Sequence, residues 1–326
     1  MSATTRALCA APAAALLLAA ALSGCAGTPT TSAAASDEKT LTIDNCGTEL
    51  TIDAPPQRIL TIKSSTLELA LALGAGDRII GSAFSDGPLP EELAADADGI
   101  PIVSEKVPSQ EATLELEPDL VFAGWESNFS IEGVGERAEL QKLGVTTYVA
   151  PAACKAPGYM PDPLTFDTVF DGFAEAGELL GETDAAATLI SDQRAQLEAI
   201  APDDRGLSAV WYSSGTDQPF VGAGIGAPQM IMDAAGLDNV FADVDDTWTS
   251  TSWELIADAD PDVIVLVDAA WNTAASKIAL LTANPITAQL DAVKNGRYVI
   301  VDFPATEAGI RNVDAVDSIV TQLGEL

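Results

Sequence analysis

The chain has 326 residues, 48% of them hydrophobic, with 49 acids against 15 bases and no histidine. A formal charge of −34 repels nucleic acid and anionic lipid headgroups. Without histidine, neither a Ser-His-Asp or Cys-His nucleophile nor a His-ligated zinc centre can be assembled, and bare manganese or zinc cargo is disfavoured.

Residues 1–24 read as an export signal. Arg6 is its only charge, and "AAALLLAAALSG" is an apolar core too short to span a bilayer. Leu22-Ser23-Gly24-Cys25 resembles the bacterial lipoprotein lipobox, which implies lipidation at Cys25 and anchoring to the outer face of the cytoplasmic membrane. An ordinary secretory peptide with a chance cysteine is the competing reading. Residues 25–39, rich in Ala, Ser and Thr, read as a flexible tether. Cys9 leaves with the signal, so Cys46 and Cys154 remain in an oxidising compartment. A disulfide between them is the natural expectation, two free thiols the alternative.

Beyond the tether the chain repeats itself. Residues 109–128, "SQEATLELEPDLVFAGWESN", echo residues 252–272, "SWELIADADPDVIVLVDAAWN". In each, a glutamate (Glu111, Glu254) stands seven residues before a Pro-Asp pair, and a continuous apolar run follows, as in a parallel strand covered on both faces. Each half also closes on a strand, "GVTTYVA" or "GRYVIVD", preceded by a helical stretch. The spacing therefore predicts an N-terminal α/β lobe over 40–162 and a C-terminal one over 203–326. Between them, apolar residues at helical spacing predict a connecting helix over 163–202, with Gly181 as a point where it can break.

The lipobox, the "PDLV" and "PDVIV" strands, the helical spine and "AGLDNVF" (235–241) together resemble class III solute-binding proteins of ABC importers. More narrowly, "TIKSSTLELALALG", "SEKVPSQEA", "AGWESNF" and "WYSSGTDQPFVGAGIGAPQMIMDAAG" resemble the actinobacterial subgroup proposed to carry F420-0, a deazaflavin. The resemblance implies two Rossmann-like lobes joined by one long inter-lobe helix, and a small-molecule cargo held between the lobes. It further implies a monomer that serves a permease dimer and its ATPase and performs no chemistry. No catalytic cofactor or metal is expected. Ferric siderophore, haem and cobalamin are the rival cargoes, and an extracytoplasmic carboxylate-dependent enzyme is the rival of another class.

Gly222, Gly224 and Ala227 reproduce the spacing G-x-G-x-x-A of a dinucleotide fingerprint. The strand-like "LSAVWYS" ends well before Gly222, whereas a dinucleotide turn follows its strand directly, so NAD is not the ligand. A cleft loop is the better reading. Gly222, Gly224 and Gly226 would turn backbone N–H groups toward an anion at a helix N-terminus, with a plain flexible loop as the alternative. The family resemblance matches Phe84, Phe220 and Trp248 to aromatic ligand contacts, and Trp125 within one residue. Trp271 is nominated by its echo of Trp125, and any of these aromatics could instead be core. Tyr212 completes the aromatic candidates. Lys63 and Ser64 at a helix start, Lys106, and Arg311 are the expected partners of an anionic cargo, against the alternative of cations paired with neighbouring acids. Glu111 and Glu254 match the glutamates with which this family docks on permease arginines.

Overall fold

The computed structural model describes residues 40–326; the expected export signal, the expected lipidation at Cys25 and the expected tether lie outside the described residues. A hairpin of β1 (Leu41–Asn45) and β2 (Thr48–Ile52) comes first, turning through Cys46 and Gly47, both at positive φ. A disulfide joins Cys46 to Cys154, 108 residues on, with the Cα atoms 5.4 Å apart.

The first lobe alternates β3 (Ile59–Ile62), α1 (Ser64–Ala72), β4 (Ile79–Ala83), β5 (Ile102–Ser104), α2 (Gln110–Glu115), β6 (Leu120–Ala123), α3 (Arg137–Lys142) and β7 (Thr146–Val149). Its strands form one parallel sheet in the order β5-β4-β3-β6-β7. Every residue of β3 and β6 is buried, which explains why these runs are apolar throughout and do not alternate.

The second lobe contains β8 (Leu207–Ser214), β9 (Phe220–Gly222), α6 (Ala227–Ala235), β10 (Leu237–Asn239), β11 (Trp248–Ser250), α7 (Trp253–Ala259), β12 (Val263–Asp268), α8 (Ala274–Ala283), α9 (Asp291–Asn295), β13 (Tyr298–Asp302) and α10 (Asn312–Leu323). Strands β10, β8, β12 and β13 run parallel, while β9 and β11 add an antiparallel edge.

The repeated Pro-Asp pair has the same job in both lobes. Asp119 accepts hydrogen bonds from the backbone N–H groups of Gln57 (2.7 Å) and Arg58 (2.8 Å), just ahead of β3. Asp262 accepts from the Ser208 N–H (3.0 Å) and hydroxyl (2.7 Å) at the start of β8. Each aspartate thus sets the register of the neighbouring central strand.

The connection differs from one straight helix. It is two helices, α4 (Phe166–Leu180) and α5 (Thr183–Ala199), separated where Gly181 adopts φ 74°. A side chain at Gly181 would press on Pro55 as well as strain the backbone. The helices fold back on each other: Arg194 pairs with Asp167 (2.5 Å) and lies over the Phe170 ring, while Gly177 meets Ala186 near the turn. Buried Val169, Phe170, Phe173, Ala176 and Leu179 of α4 belong to one apolar cluster that also contains Ile59 and Phe122 of the first sheet and Val265 and Val299 of the second. No helix among the described residues is long and apolar enough to cross a membrane.

Candidate functional site: an aromatic cleft between the lobes

In an open parallel sheet, ligands sit beyond the carboxyl ends of the strands where the strand order reverses. That point lies between β3 and β6 in the first lobe and between β8 and β12 in the second. The two points face one cleft of about 420 Å³. Ser65, Gly124 and Trp125 line it from the first lobe; Ser213, Ser214 and Trp271 line it from the second.

Five aromatic side chains, Trp125, Phe220, Trp248, Trp271 and Phe303, stand among small, polar and charged lining residues. Phe220 and Trp248 stack at 5.7 Å, because β9 and β11 pair Ser250 with Phe220 and Trp248 with Gly222. Trp271, 62% exposed, stands edge-on to Phe303 at 5.8 Å. Its turn is pinned from below by Lys277, whose buried ammonium donates to the carbonyls of Val267 and Asn272. Burial pushes the Lys277 ammonium down to about 8, with Asp268 opposing.

Trp125 donates its indole N–H to Glu307 (3.0 Å) across the cleft, and its ring covers the Lys63 ammonium, 3.6 Å from the ring centroid. Burial raises the Glu307 carboxyl above its usual range, the Lys63 charge being the largest opposing influence. Lys155 also lines the cleft and donates to the Thr247 hydroxyl (2.6 Å) and to Asp246 (3.3 Å).

The cleft therefore gathers Trp125, Phe220, Gly226, Trp248 and Trp271 of the expected residues. The others lie elsewhere for specific reasons. Lys63 is wholly buried beneath the aromatic floor, paired with Asp86, and Ser64 is buried beside it with its N–H donated to Asp86. Phe84 packs edge-on behind Trp125 at 5.6 Å. Tyr212 is 2% exposed, donates to the Gly215 carbonyl (2.7 Å) and rests on Trp253; burial pushes its hydroxyl up to about 12. Lys106 is exposed on the loop after β5, away from the cleft. Arg311 turns to Glu68 of α1, donating from two nitrogens, and to the Pro88 carbonyl (2.7 Å).

The glycine loop is a packing device. The N–H groups of Ala223, Gly224 and Ile225 donate to the carbonyls of Thr247, Val244 and Asp246, so they are not offered to a ligand. A side chain at Gly222 would collide with Pro228, and one at Gly224 with the Ala242 carbonyl. Only Gly226 reaches the cleft, together with Ala227 at the start of α6.

Sequence reading missed Lys155, Phe303 and Glu307. Phe303 directly follows the apolar strand β13, an aromatic at a strand end that the sequence shows, whereas Lys155 lies six residues beyond β7 and carried no such signal. Glu307 carried no local signal among 49 acids.

Away from the cleft, Glu111 and Glu254 hold equivalent places. Each is exposed at the second position of a helix capped by a serine: Ser109 accepts from Ala112 N–H and Ser252 from Leu255 N–H, both at 3.3 Å.

Residues 59–305 match the family described as periplasmic binding protein. The chain belongs to that family. Its members are extracytoplasmic binding proteins for transport, not enzymes, which removes the carboxylate-enzyme rival. A cobalamin-binding protein of Halobacterium salinarum is 30% identical over 79% of this chain and 67% of its own length. An uncharacterized ABC transporter substrate-binding lipoprotein of Bacillus subtilis is 24% identical over 93% and 92%. Among solved structures, a periplasmic binding protein of Veillonella parvula superposes with TM-score 0.78 at 26% identity, covering 88% of this chain and 98% of that one. An ABC-type Fe3+-hydroxamate transport system protein of Saccharomonospora viridis gives TM-score 0.74 at 28% identity, covering 87% and 99%.

Proposed function

We propose that the protein is the extracytoplasmic, lipid-anchored substrate-binding component of an ABC importer, and that its cargo is a flat aromatic cofactor, F420-0. The observation that carries the reading is the aromatic cleft, where Trp125, the Phe220–Trp248 stack, Trp271 and Phe303 surround about 420 Å³. Stacking against such faces contributes about 0.5 to 1.5 kcal/mol per pair beyond area burial. Lys155 and the N-terminus of α6 supply positive potential for the anionic end of the cargo. This is a smaller cationic provision than Lys63, Lys106 and Arg311 together would have made.

A corrinoid is the second reading, favoured by the 30% identical cobalamin-binding relative. Haem fits less well, because no histidine, cysteine, methionine or tyrosine is among the lining residues to hold its iron. Delivery uses Glu111 and Glu254, one on each lobe, as matched anions for a two-fold permease.

Titration of tryptophan fluorescence with F420-0, cobalamin and a ferric hydroxamate tests the cargo. Saturable quenching by F420-0 alone supports the deazaflavin reading. Quenching only by cobalamin or the hydroxamate removes it and leaves the transport role intact.

A further inference from the structure

Glu307 is one of two carboxylates in the lining of the cleft, Glu126 being the other, and its surroundings are built to hold it there. Glu307 follows β13 in a loop clamped by the buried Asn312. The Asn312 amide donates to the carbonyls of Ala305 (3.0 Å) and Glu307 (2.7 Å) and accepts from Gly309 N–H (2.8 Å). The indole that donates to Glu307 is itself fixed: Asn128 accepts from the Trp125 backbone N–H at 3.1 Å, and the Lys63 ammonium lies against its ring. Only one carboxyl oxygen of Glu307 is used by this bond; among the described residues no donor meets the other.

Glu307 is partly exposed to the cleft, so a cargo that fills the cleft strips water from its second oxygen, and a cargo that brings a donor there removes that cost. A cargo that brings a phosphate or carboxylate to the same place adds like-charge repulsion. We infer that Glu307 is a specificity-determining residue, which selects cargo presenting an imide or amide N–H on the ring edge that enters between Trp125 and Phe303. This rests on the proposed cargo-binding role of the cleft. It assigns the ligand two unlike ends: an N–H donor edge toward Glu307, and an anionic end toward Lys155 and α6.

The test uses the purified full chain and two probes, a 5-deazaflavin with a free imide N–H and its N-methylated imide. Wild type should bind the N–H form about tenfold or more tightly, the equivalent of one well-placed hydrogen bond. Glu307→Leu should bring the ratio of the two affinities to near one. Glu307→Gln, which keeps the side-chain shape and the acceptor for the Trp125 indole but turns an NH2 donor toward the ring edge, should also bring the ratio to near one and guards against simple misfolding. Because both probes meet the same variant, loss of the Trp125 partner cancels in the ratio. A wild-type ratio near one, or a ratio that Glu307→Leu leaves unchanged, overturns the inference while the cargo cleft stands. If neither deazaflavin binds but cyanocobalamin does, the deazaflavin reading falls. The inference then requires Glu307→Leu to weaken cyanocobalamin, whose periphery carries amide N–H groups, by about tenfold; unchanged affinity overturns it. Binding of none of the three overturns both.

Discussion

Arg311 of the second lobe closes a two-nitrogen ion pair on Glu68 of the first lobe, whose side chain is only 2% exposed. The guanidinium that looked like a cargo contact therefore ties the lobes together behind the cleft. Arg311→Ala leaves a buried carboxylate without its cation, which costs about 3 to 5 kcal/mol when one partner of a buried pair is removed. Urea unfolding should register that loss, with Arg311→Lys falling between the two. Cargo affinity of the folded fraction should change little; a selective loss of affinity at unaltered stability would return Arg311 to the binding site.

Two groups of carboxyls set the pH profile. Burial raises Glu68, Glu175 and Glu307 above their ordinary 4.5. Each such acid binds its proton more tightly folded than unfolded, so its contribution is complete below about 4.5 and is lost as pH rises through the folded value. Asp262 is held below its ordinary 3.8 by the Ser208 hydroxyl and N–H, so its contribution is present above about 3.8 and lost as pH falls further. The melting temperature should therefore rise from pH 7.5 to about 5 and drop below about 3.8. A melting temperature that declines steadily from pH 7.5 to 5 would contradict the raised acids.

Trp271 is the cleft residue whose removal should be cleanest, since 62% of it is exposed. Trp271→Ala should weaken cargo binding about tenfold, as loss of one aromatic face implies, and leave the unfolding midpoint within error. Trp125→Ala should lose at least as much affinity and some stability too, because its indole covers Lys63 and bonds Glu307. Fluorescence titration paired with thermal melts separates the two effects.

Glu111→Ala combined with Glu254→Ala should leave cargo affinity intact and abolish uptake in reconstituted vesicles. Uptake at the wild-type rate would remove both residues from permease docking.

The Cys46–Cys154 disulfide closes a loop of 108 residues and anchors the wall immediately before Lys155. The chain-entropy account assigns such a loop about 4 to 5 kcal/mol. Cys46→Ala with Cys154→Ala should lower stability by an amount of that order in urea unfolding, and a loss below about 1 kcal/mol would mean the unfolded chain is already restrained there.

The strand grammar of this protein was legible because it is local: Pro-Asp followed by an apolar run records an aspartate clip and a doubly covered strand within ten residues. Aromatic residues at strand ends were legible for the same reason. The cations were not, since Lys63 and Arg311 are claimed by Asp86 and Glu68, acids that nothing in the sequence sets apart from the other 47. The glycine loop misled because its N–H groups are answered by carbonyls of residues 244–247, a pairing made by tertiary folding alone. Gly181 was readable as a breaking point, but only Pro55 packed against it and the return of α5 along α4 decide that the chain reverses there.

The apolar cluster that runs unbroken from the first sheet through α4 into the second has a consequence for the transport cycle. Swinging the lobes widely apart would tear a shared interior, so the loaded form is expected to keep nearly the silhouette of the empty one. A permease that distinguishes them has to feel what covers Trp271 and Phe220 at the mouth, as a fingertip tells a filled cup from an empty one by its rim.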